Sequence, residues 1–366
     1  MERTLTDRIS NKTWSIRQAG NQVVTSSNGG KPKEKGFDES EQAAKYVQKE
    51  TWSRLKKGFV LHNPQAGAGQ PVLHRYIGGG YTGFMPLATM EDTNAFFCGY
   101  VVGQFEKVEI YLVDDQGEKQ STHELPGQQL IFDMRHCAEQ NVLLLNIDHH
   151  IAGLSLGNGE MERYTPKMPA STLSVSGSAA LWYDKSSLVV YDLGTNTVRY
   201  TRQVECEKYG GHSPQLCAVL SHDGRLMAYC TQSDEIVIVD MTTMQERTIA
   251  KDKNAMTSSM AFSPDDRLLF TQEQYGSWSL KCYDLNTMTG HKDWMTPDIK
   301  SFAIHERRRL LAVYNYGKIQ LFDLQTMKPT MTFEVEHVVK NCTLAFTQDY
   351  LAVYTDYGCV SLYALA

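Results

Sequence analysis

Three tyrosines, each followed by glycine, recur at equal intervals in the last third of the chain and offer the chemistry of a contact surface. They are Tyr275, Tyr316 and Tyr357, with a step of 41 residues each time. Glycine supplies the positive φ of a tight hairpin turn, so turn geometry alone also explains the pattern. Exposed aromatic side chains, however, anchor many protein interfaces. With Trp278 beside them, these tyrosines predict a partner-binding surface built from turns.

Two adjacent histidines, His149 and His150, follow Asp148 in another predicted turn. Imidazole and carboxylate groups both ligate Zn²⁺, so a metal site is one interpretation. Adjacent residues of a strand point to opposite faces, which places the two imidazoles poorly for one ion, and no third ligand stands at a usual spacing. The sequence therefore predicts no metal. We assign both histidines to the partner-binding surface, because their turn falls on the same face of the repeat described below.

Two short basic runs offer contacts to phosphate or to an acidic partner. They consist of Lys31, Lys33 and Lys35 in a glycine-rich turn, and of the consecutive Arg307, Arg308 and Arg309. Charge runs more commonly face water as solvated turns, which is the favoured interpretation for both.

Residues arranged for catalysis or for holding a cofactor are not found in the sequence. It lacks the GxSxG, P-loop, GxGxxG and HExxH patterns. Its eight cysteines are scattered without a CxxC pair and predict reduced, mostly buried thiols. We therefore expect a protein that is not an enzyme and that binds no cofactor.

Composition narrows the range of partners. The 366 residues are 42% hydrophobic and carry a net charge of -6, so no overall basic field attracts nucleic acid or an anionic membrane. No apolar run approaches the roughly 18 residues of a membrane span. The polar N-terminus lacks the apolar region of a signal peptide. These features predict a cytoplasmic protein without membrane contact.

The elements that position these residues repeat along the chain. A strand ending in Ala plus a large apolar residue recurs at steps of 43, 42 and 42, beginning at Ala218, Ala261, Ala303 and Ala345. A second strand, ending in an aromatic or aliphatic residue plus Asp, recurs at Asp240, Asp284 and Asp323. A period in the low forties built from short strands is typical of a β-propeller blade. The terminal Asp predicts a turn held by bonds from backbone N–H groups to its carboxylate.

Counting upstream from the clearest repeats predicts seven blades, the last of which lacks its outer strand. We expect residues 72–77 to supply that strand and close the ring, which removes exposed sheet edges. The segments resemble WD-repeat blades over residues 72–366, although regular Gly-His pairs and a Trp-Asp ending are missing. The few polar residues on the inner strands include Asp133 and His305, which gives little support for an enzymatic channel.

The N-terminal segment has a different sequence pattern from the blades. It predicts a hairpin with strands near residues 12–17 and 21–26, and then a helix from Ser40 to Lys57 with a buried stripe of Ala44, Val47, Thr51 and Leu55. The segment resembles a WGR domain at four places: Trp14, the hairpin at 20–25, the lead-in at 35–40 and the helix ending at 55–59. The Trp-Gly-Arg signature itself is missing. The resemblance implies an α+β domain of a type that contacts DNA ends in poly(ADP-ribose) polymerases.

The sequence thus predicts a mainly β protein: a WGR-like α+β domain at 1–61, a linker at 62–71 and a seven-bladed β-propeller at 72–366. Its predicted function is that of a non-catalytic interaction platform, an adaptor or scaffold subunit whose partner is another protein. Two alternatives stay open. One is DNA-end binding through the WGR-like domain, and the other is a sensor or immunity subunit of a bacterial multi-protein system.

Overall fold

Short antiparallel strands make up most of the chain, as the repeat predicts. A computed structural model describes residues 2–78, 85–102, 106–126, 129–168, 172–206, 216–231, 235–251, 256–274 and 278–365. No helix in this described part is long and apolar enough to cross a lipid bilayer. The first elements are β1 (Glu2–Asp7), β2 (Lys12–Ala19), β3 (Gln22–Ser27), β4 (Lys33–Gly36), α1 (Ser40–Leu55), β5 (Phe59–His62) and β6 (Pro71–Tyr76).

Six four-stranded antiparallel sheets follow, each with its strands side by side in sequence order. We call them blades 1 to 6. Blade 1 comprises β7 (Leu87–Thr89), β8 (Phe96–Val102), β9 (Lys107–Val113) and β10 (Lys119–Pro126). Blade 2 comprises β11 (Ile131–Cys137), β12 (Val142–Ile147), β13 (His150–Ser155) and β14 (Met161–Arg163). Blade 3 comprises β15 (Leu173–Ser176), β16 (Ala179–Asp184), β17 (Ser187–Asp192) and β18 (Thr197–Gln203). Blade 4 comprises β19 (Cys217–Leu220), β20 (Leu226–Cys230), β21 (Glu235–Asp240) and β22 (Gln245–Ala250). Blade 5 comprises β23 (Met256–Phe262), β24 (Leu268–Gln274), β25 (Ser279–Asp284) and β26 (Thr289–Pro297). Blade 6 comprises β27 (Ser301–His305), β28 (Leu310–Asn315), β29 (Lys318–Asp323) and β30 (Lys328–Glu334).

The last strands join the first ones in a single nine-stranded sheet. They are β31 (Cys342–Phe346), β32 (Tyr350–Thr355) and β33 (Cys359–Ala364). The order of this sheet is β31-β32-β33-β6-β5-β1-β2-β3-β4. The segment predicted to close the ring forms β6, which pairs with β33 along one edge and with β5 along the other.

This sheet corrects two predictions. The structure has six separate four-stranded blades, not seven, and it has no distinct N-terminal α+β domain. The physical reason is the free edge of β6: β5 pairs with it, β1 pairs with β5, and the N-terminal strands continue the same sheet. The sequence reasoning missed β1, β4 and β5, and with them this continuity. The boundaries 1–61, 62–71 and 72–366 stay a prediction.

Apolar side chains fill the spaces between neighbouring sheets, so the core follows the ring. Tyr314 of blade 6 shares a buried cluster with Leu344 of the nine-stranded sheet, and Leu362 of that sheet shares another with Phe96 of blade 1. The nine-stranded sheet therefore lies between the last blade and the first. Backbone bonds support this closure, since the Gln348 N–H donates to the Thr93 carbonyl at 2.9 Å.

The turns predicted from the terminal Asp residues are confirmed. The Asp240 carboxylate accepts hydrogen bonds from the N–H groups of Thr242 and Thr243, both at 3.0 Å. Asp192, Asp284 and Asp323 accept equivalent pairs in their own blades. The repeat thus reflects one local device used at the end of the third strand of four blades.

Helix α1 begins where predicted and ends two residues earlier. Its buried stripe is Ala43, Val47, Thr51 and Leu55, so Ala43 rather than Ala44 occupies the first buried position. The stripe packs on the N-terminal strands in a cluster that also contains Trp14, Leu61 and Cys359 of β33. The helix is therefore anchored to both ends of the chain.

Candidate functional site

Tyr316 stands at the tip of the hairpin between β28 and β29. Its φ of 40° and the φ of 87° at Gly317 are both positive, as a two-residue hairpin turn of the primed type requires. The ring is 64% exposed because the turn points it away from the sheet. The turn prediction and the expectation of an exposed ring therefore agree at this position.

Trp278, just before β25, lies close to Tyr316. The Lys300 ammonium lies 4.4 Å from the centroid of the Trp278 ring and 5.2 Å from that of Tyr316. A cation over an aromatic face is attracted by the negative charge of the ring face. Lys300 thus bridges the loops of blades 5 and 6. Tyr275, the third predicted tyrosine, lies outside the described residues.

Tyr357 occupies the turn between β32 and β33, where the Gly358 N–H donates to the Thr355 carbonyl at 2.8 Å. Its ring is half exposed, and its centroid lies 5.5 Å from that of Trp52 on α1. Gly358 is needed here, because its φ is 79° and an added Cβ would lie 2.5 Å from the carbonyl oxygen of Gly78.

The connection between β30 and β31 joins the turns of Tyr316 and Tyr357. At one end the Val335 N–H donates to the Gly317 carbonyl at 2.7 Å. At the other, the Asp356 carboxylate accepts N–H bonds from Val339, Lys340 and Asn341 at 2.8 to 2.9 Å. These bonds hold Val339 in place with its side chain 55% exposed.

We name Trp278, Tyr316, Val339 and Tyr357 the loop surface. They are four of the eight large hydrophobic side chains that are exposed among the described residues, and adjacent loops bring them together. Sequence reasoning found Tyr316 and Tyr357 through the Tyr-Gly spacing and Trp278 through its position beside Tyr275 in the sequence. It missed Val339 and Trp52, which carry no repeat signal.

The two histidines predicted for the same face lie at the equivalent turn of blade 2, between its second and third strands, and among the described residues do not contact the loop surface. His149 forms the β12–β13 turn with Asp148, both at positive φ, and its ring stacks on Phe132 at 4.6 Å between centroids. His150 is only 6% exposed, within β13. They belong to blade 2, whereas the loop surface belongs to blades 5 and 6 and the nine-stranded sheet.

The three arginines are engaged by carboxylates. Arg307 pairs with Asp92, Arg308 with Asp349 at 3.3 Å, and Arg309 with Asp265 at 3.7 Å. Asp349 and Asp265 come from the two sheets next to blade 6, and Asp92 comes from blade 1, so these ion pairs link blade 6 to three other sheets.

The three lysines stand at and just before the last edge of the nine-stranded sheet. Lys33 and Lys35 lie on β4, and Lys31 lies just ahead of it; all are exposed. The Lys35 ammonium lies 4.1 Å from the centroid of the Tyr46 ring. Exposed lysines on an edge strand also protect it from pairing with other chains.

The two polar residues predicted on inner strands have local partners. Asp133 pairs with Arg135 at 3.1 Å, and burial raises the pKa of its carboxyl. The His305 Nε2 lies 3.2 Å from the Gln348 carbonyl oxygen, and burial lowers the pKa of its imidazole.

A cluster that the sequence did not suggest lies beneath the loop surface. Glu336, in the β30–β31 connection, accepts two hydrogen bonds from the Arg3 guanidinium, one of them 2.7 Å long between Nη1 and Oε2. The Nε2 atoms of His74 and His337 lie 3.5 Å and 3.6 Å from the same Oε2. The His74 Nδ1 lies 2.7 Å from the Ser361 Oγ.

Burial controls the charges in this cluster. It lowers the pKa of the His74 imidazole and lowers that of His337 to about 3. Burial alone would raise the pKa of the Glu336 carboxyl. The neighbouring His74 and the paired Arg3 outweigh it and hold that pKa well below its usual range. The Trp52 ring stacks on His337, with 5.2 Å between centroids, and connects the cluster to Tyr357.

A second titratable cluster joins the turns that follow the first strands of blades 4, 5 and 6. The His222 Nδ1 lies 3.0 Å from Asp266 Oδ1, and its Nε2 lies 3.1 Å from Glu306 Oε1. Burial lowers the pKa of His222, but the bonds to Asp266 and Glu306 prevail and raise it to about 9. This imidazole is therefore a cation held between two carboxylates.

Comparison with known proteins places the fold. No protein-family model matches the sequence, and no curated protein sequence matches it either. A chain in the crystal structure of the mitotic checkpoint complex superposes with a TM-score of 0.63 at 11% identity, covering 83% of this chain and 96% of that one. The β-propeller domain of Cps50 (Swd1) from Myceliophteria thermophila superposes with a TM-score of 0.58 at 10% identity, covering 80% and 98%.

These likenesses confirm the fold, a β-propeller, as the repeat predicts. At such low identity they show the fold alone. They lend no support to the resemblance between residues 1–61 and a WGR domain.

Proposed function

We propose that the protein is a non-catalytic scaffold that binds another protein through the loop surface. The observation that carries this proposal is the exposure of Trp278, Tyr316, Val339 and Tyr357 on adjacent, hydrogen-bonded loops. Exposed aromatic side chains gathered in one patch are typical of interface anchors. Both tyrosines lie in tight turns, and Trp52 packs against Tyr357 while Lys300 lies over Tyr316, so they lose less conformational freedom on binding.

The structural likenesses support the same role. One similar chain comes from the crystal structure of a complex, the mitotic checkpoint complex, and the other is also a β-propeller. Binding of a protein partner fits a fold that presents many loops on a rigid ring.

Charge suggests the chemistry of the partner. Lys300 lies within the surface, and exposed Lys318 and Lys340 follow Gly317 and Val339. The acidic side chains exposed nearby are Asp298 and Glu334. We expect a partner segment that presents apolar side chains flanked by carboxylates, because opposite charges steer encounter and fix orientation.

A matched pair of double variants tests the proposal. Tyr316→Ala with Tyr357→Ala removes two exposed rings from the surface, whereas Val198→Ala with Met244→Ala removes two comparably exposed side chains from blades 3 and 4. Each tagged protein is purified from its own cells, and the co-purified proteins are quantified by mass spectrometry. We expect the first variant to lose a partner that wild type and the second variant retain. Identical partner sets for both variants would contradict the proposal.

Two predicted alternatives have no comparable support. The guanidinium groups of Arg307, Arg308 and Arg309 are paired with carboxylates. DNA-end binding and a sensor or immunity role therefore stay predictions from the sequence.

A further inference from the structure

We propose that His74, Glu336 and His337 form a structural binding site for a zinc-type divalent metal ion. One donor atom from each residue, the two imidazole nitrogens and a carboxylate oxygen, lies within 4.8 Å of the others. Two imidazoles and one carboxylate are a donor set that Zn²⁺ prefers. The inference stands on this cluster and is independent of the proposed function.

The spacing of the donors fits a tetrahedral ion. Bonds of about 2.0 to 2.2 Å in tetrahedral geometry put neighbouring ligand atoms roughly 3.3 to 3.6 Å apart. Both imidazole nitrogens already lie at nearly this distance from Glu336 Oε2, at 3.5 Å and 3.6 Å. The two imidazole nitrogens lie within 4.8 Å of each other.

The Nε2 atoms of both imidazoles are left without a hydrogen-bond partner in the described part of the chain. Both atoms, in His74 and His337, are buried. An unmet buried polar atom costs free energy, because it has given up water without a replacement. A metal ion bound to both lone pairs removes that cost.

The surroundings of His74 support the same assignment. Its Nδ1 lies 2.7 Å from Ser361 Oγ, a distance at which the Nδ1–H tautomer donates to the hydroxyl and leaves the Nε2 lone pair for an ion. Metal-bound imidazoles are usually oriented through such a bond from the second nitrogen.

Arg3 limits the affinity of the site. Its guanidinium donates to both oxygens of Glu336, so the carboxylate charge is already neutralised before an ion binds. Arg3 can remain as an outer-shell donor to Oε1 while the ion binds Oε2, but its positive charge repels the ion. Replacing Arg3 with a neutral residue should therefore tighten metal binding.

The position of the site points to a structural role. His74 lies on β6, and Glu336 and His337 lie on the connection that supports the loop surface. The side chains of these three residues are at most 12% exposed, which leaves no room for a substrate at the ion. A metal ion there would tie the N-terminal half of the nine-stranded sheet to the loops beneath Tyr357.

Zinc titration of the full chain, first freed of metal with a chelator, tests the proposal. Isothermal calorimetry with ZnCl₂ should give one ion per chain, and Co²⁺ should give the visible absorption of a tetrahedral site. His337→Gln and Glu336→Gln should abolish both signals. Ser361→Ala, which changes only the outer shell, should weaken binding by about 10- to 100-fold. Arg3→Gln should strengthen it.

The control variant is His149→Gln, which removes a histidine from a turn of blade 2 and should bind like wild type. Circular dichroism identifies variants that fail to fold, and His337→Gln and Glu336→Gln serve as independent replacements for each other. No zinc binding by wild type would overturn the proposal. Binding that folded His337→Gln and Glu336→Gln both retain would also overturn it, because the ion would then lie elsewhere.

Discussion

At the scale of single residues, carboxylate side chains stabilise turns and link neighbouring blades. Asp240 shows this most fully: its oxygens accept two backbone N–H bonds and pair with Arg225 at 2.6 Å. These contacts lower the pKa of the Asp240 carboxyl to about 2. The sequence predicted such turns, because the chemistry is local and repeats with the strands.

Two substitutions of Asp240 distinguish what its charge contributes to stability from what its hydrogen bonds contribute. Asp240→Ala removes both and should lower the midpoint of thermal unfolding. Asp240→Asn keeps an acceptor oxygen for the turn and should lose less, because only the pairing with Arg225 weakens. Calorimetry of both variants checks the order, and an equal loss for both would contradict this account of the turn.

His222 should make stability depend on alkaline pH. Its pKa is raised to about 9 in the folded chain, against about 6.5 when unfolded, so the folded state binds its proton more tightly. The stabilisation is complete below pH 6.5 and is lost as pH rises through 9. The largest possible contribution is about 3 kcal/mol, and partial exposure of the ring reduces it.

Urea unfolding at pH 6.5 and pH 9.5 measures this effect. Wild type should lose more free energy of unfolding between the two pH values than His222→Gln, which cannot titrate at this position. Parallel pH dependence in the two proteins would exclude His222 as the titrating group.

The histidine–glutamate cluster shows where residue-level prediction stops. His74 and Glu336 are far apart in the sequence, and no spacing rule connects them. They meet because β6 pairs with β33 and because the β30–β31 connection crosses above that pair. Conversely, His149 and His150 are adjacent in sequence and were grouped as one candidate, yet the structure gives them different surroundings.

At the scale of elements, hairpin turns decide which side chains reach the loop surface. Gly317 and Gly358 both have positive φ, at 87° and 79°. An added Cβ meets nothing within 4 Å at Gly317, but it would collide with the Gly78 carbonyl at Gly358. The two Tyr-Gly turns therefore look alike in sequence and differ in what surrounds them.

The paired variants Gly317→Ala and Gly358→Ala should reveal this difference. Gly317→Ala should cost about 1 to 2 kcal/mol, the strain of a left-handed backbone at a residue with a side chain. Gly358→Ala should cost clearly more, because the backbone of Gly78 must also move. Urea unfolding compares the two, and an equal cost would refute the proposed backbone contact.

The N-terminal elements show why the sequence predicted a separate domain. The hairpin and helix carry clear signals, and both exist near the predicted bounds. Strand β5 has only four residues, and β1 contains a single apolar residue, Leu5. Their pairing with β6 depends on an open sheet edge that the sequence could not reveal.

At the scale of the whole molecule, the nine-stranded sheet makes the N-terminal segment part of the propeller. Arg3 of β1 and Glu336 of the β30–β31 connection form a buried ion pair across this junction. Removing one partner of a buried pair leaves the other charge uncompensated. The N-terminal strand should therefore contribute to the stability of the ring as a whole.

Arg3→Met should lower the free energy of unfolding by about 3 to 5 kcal/mol, measured with a chelator present. The double variant Arg3→Met with Glu336→Met should recover part of this loss, because no buried charge remains. Unfolding should stay a single transition in wild type. A separate early transition of the N-terminal residues, or no recovery in the double variant, would contradict this view.

The sequence predicted the propeller class because a 42-residue period is visible without any long-range contact. The number of separate blades depended on how the two ends of the chain pair, which is a long-range property. The loop surface was predictable in part, since its tyrosines repeat with the blades while Val339 does not.

The central claim is that the loop surface binds a protein partner, and photo-cross-linking in cells tests it most directly. A photoreactive phenylalanine analogue replaces Tyr316 in one protein and Val198 in another, two side chains of similar exposure on different blades. The account predicts a cross-linked adduct of defined mass from position 316 and none from position 198. No adduct from position 316, or the same adducts from both positions, would contradict it.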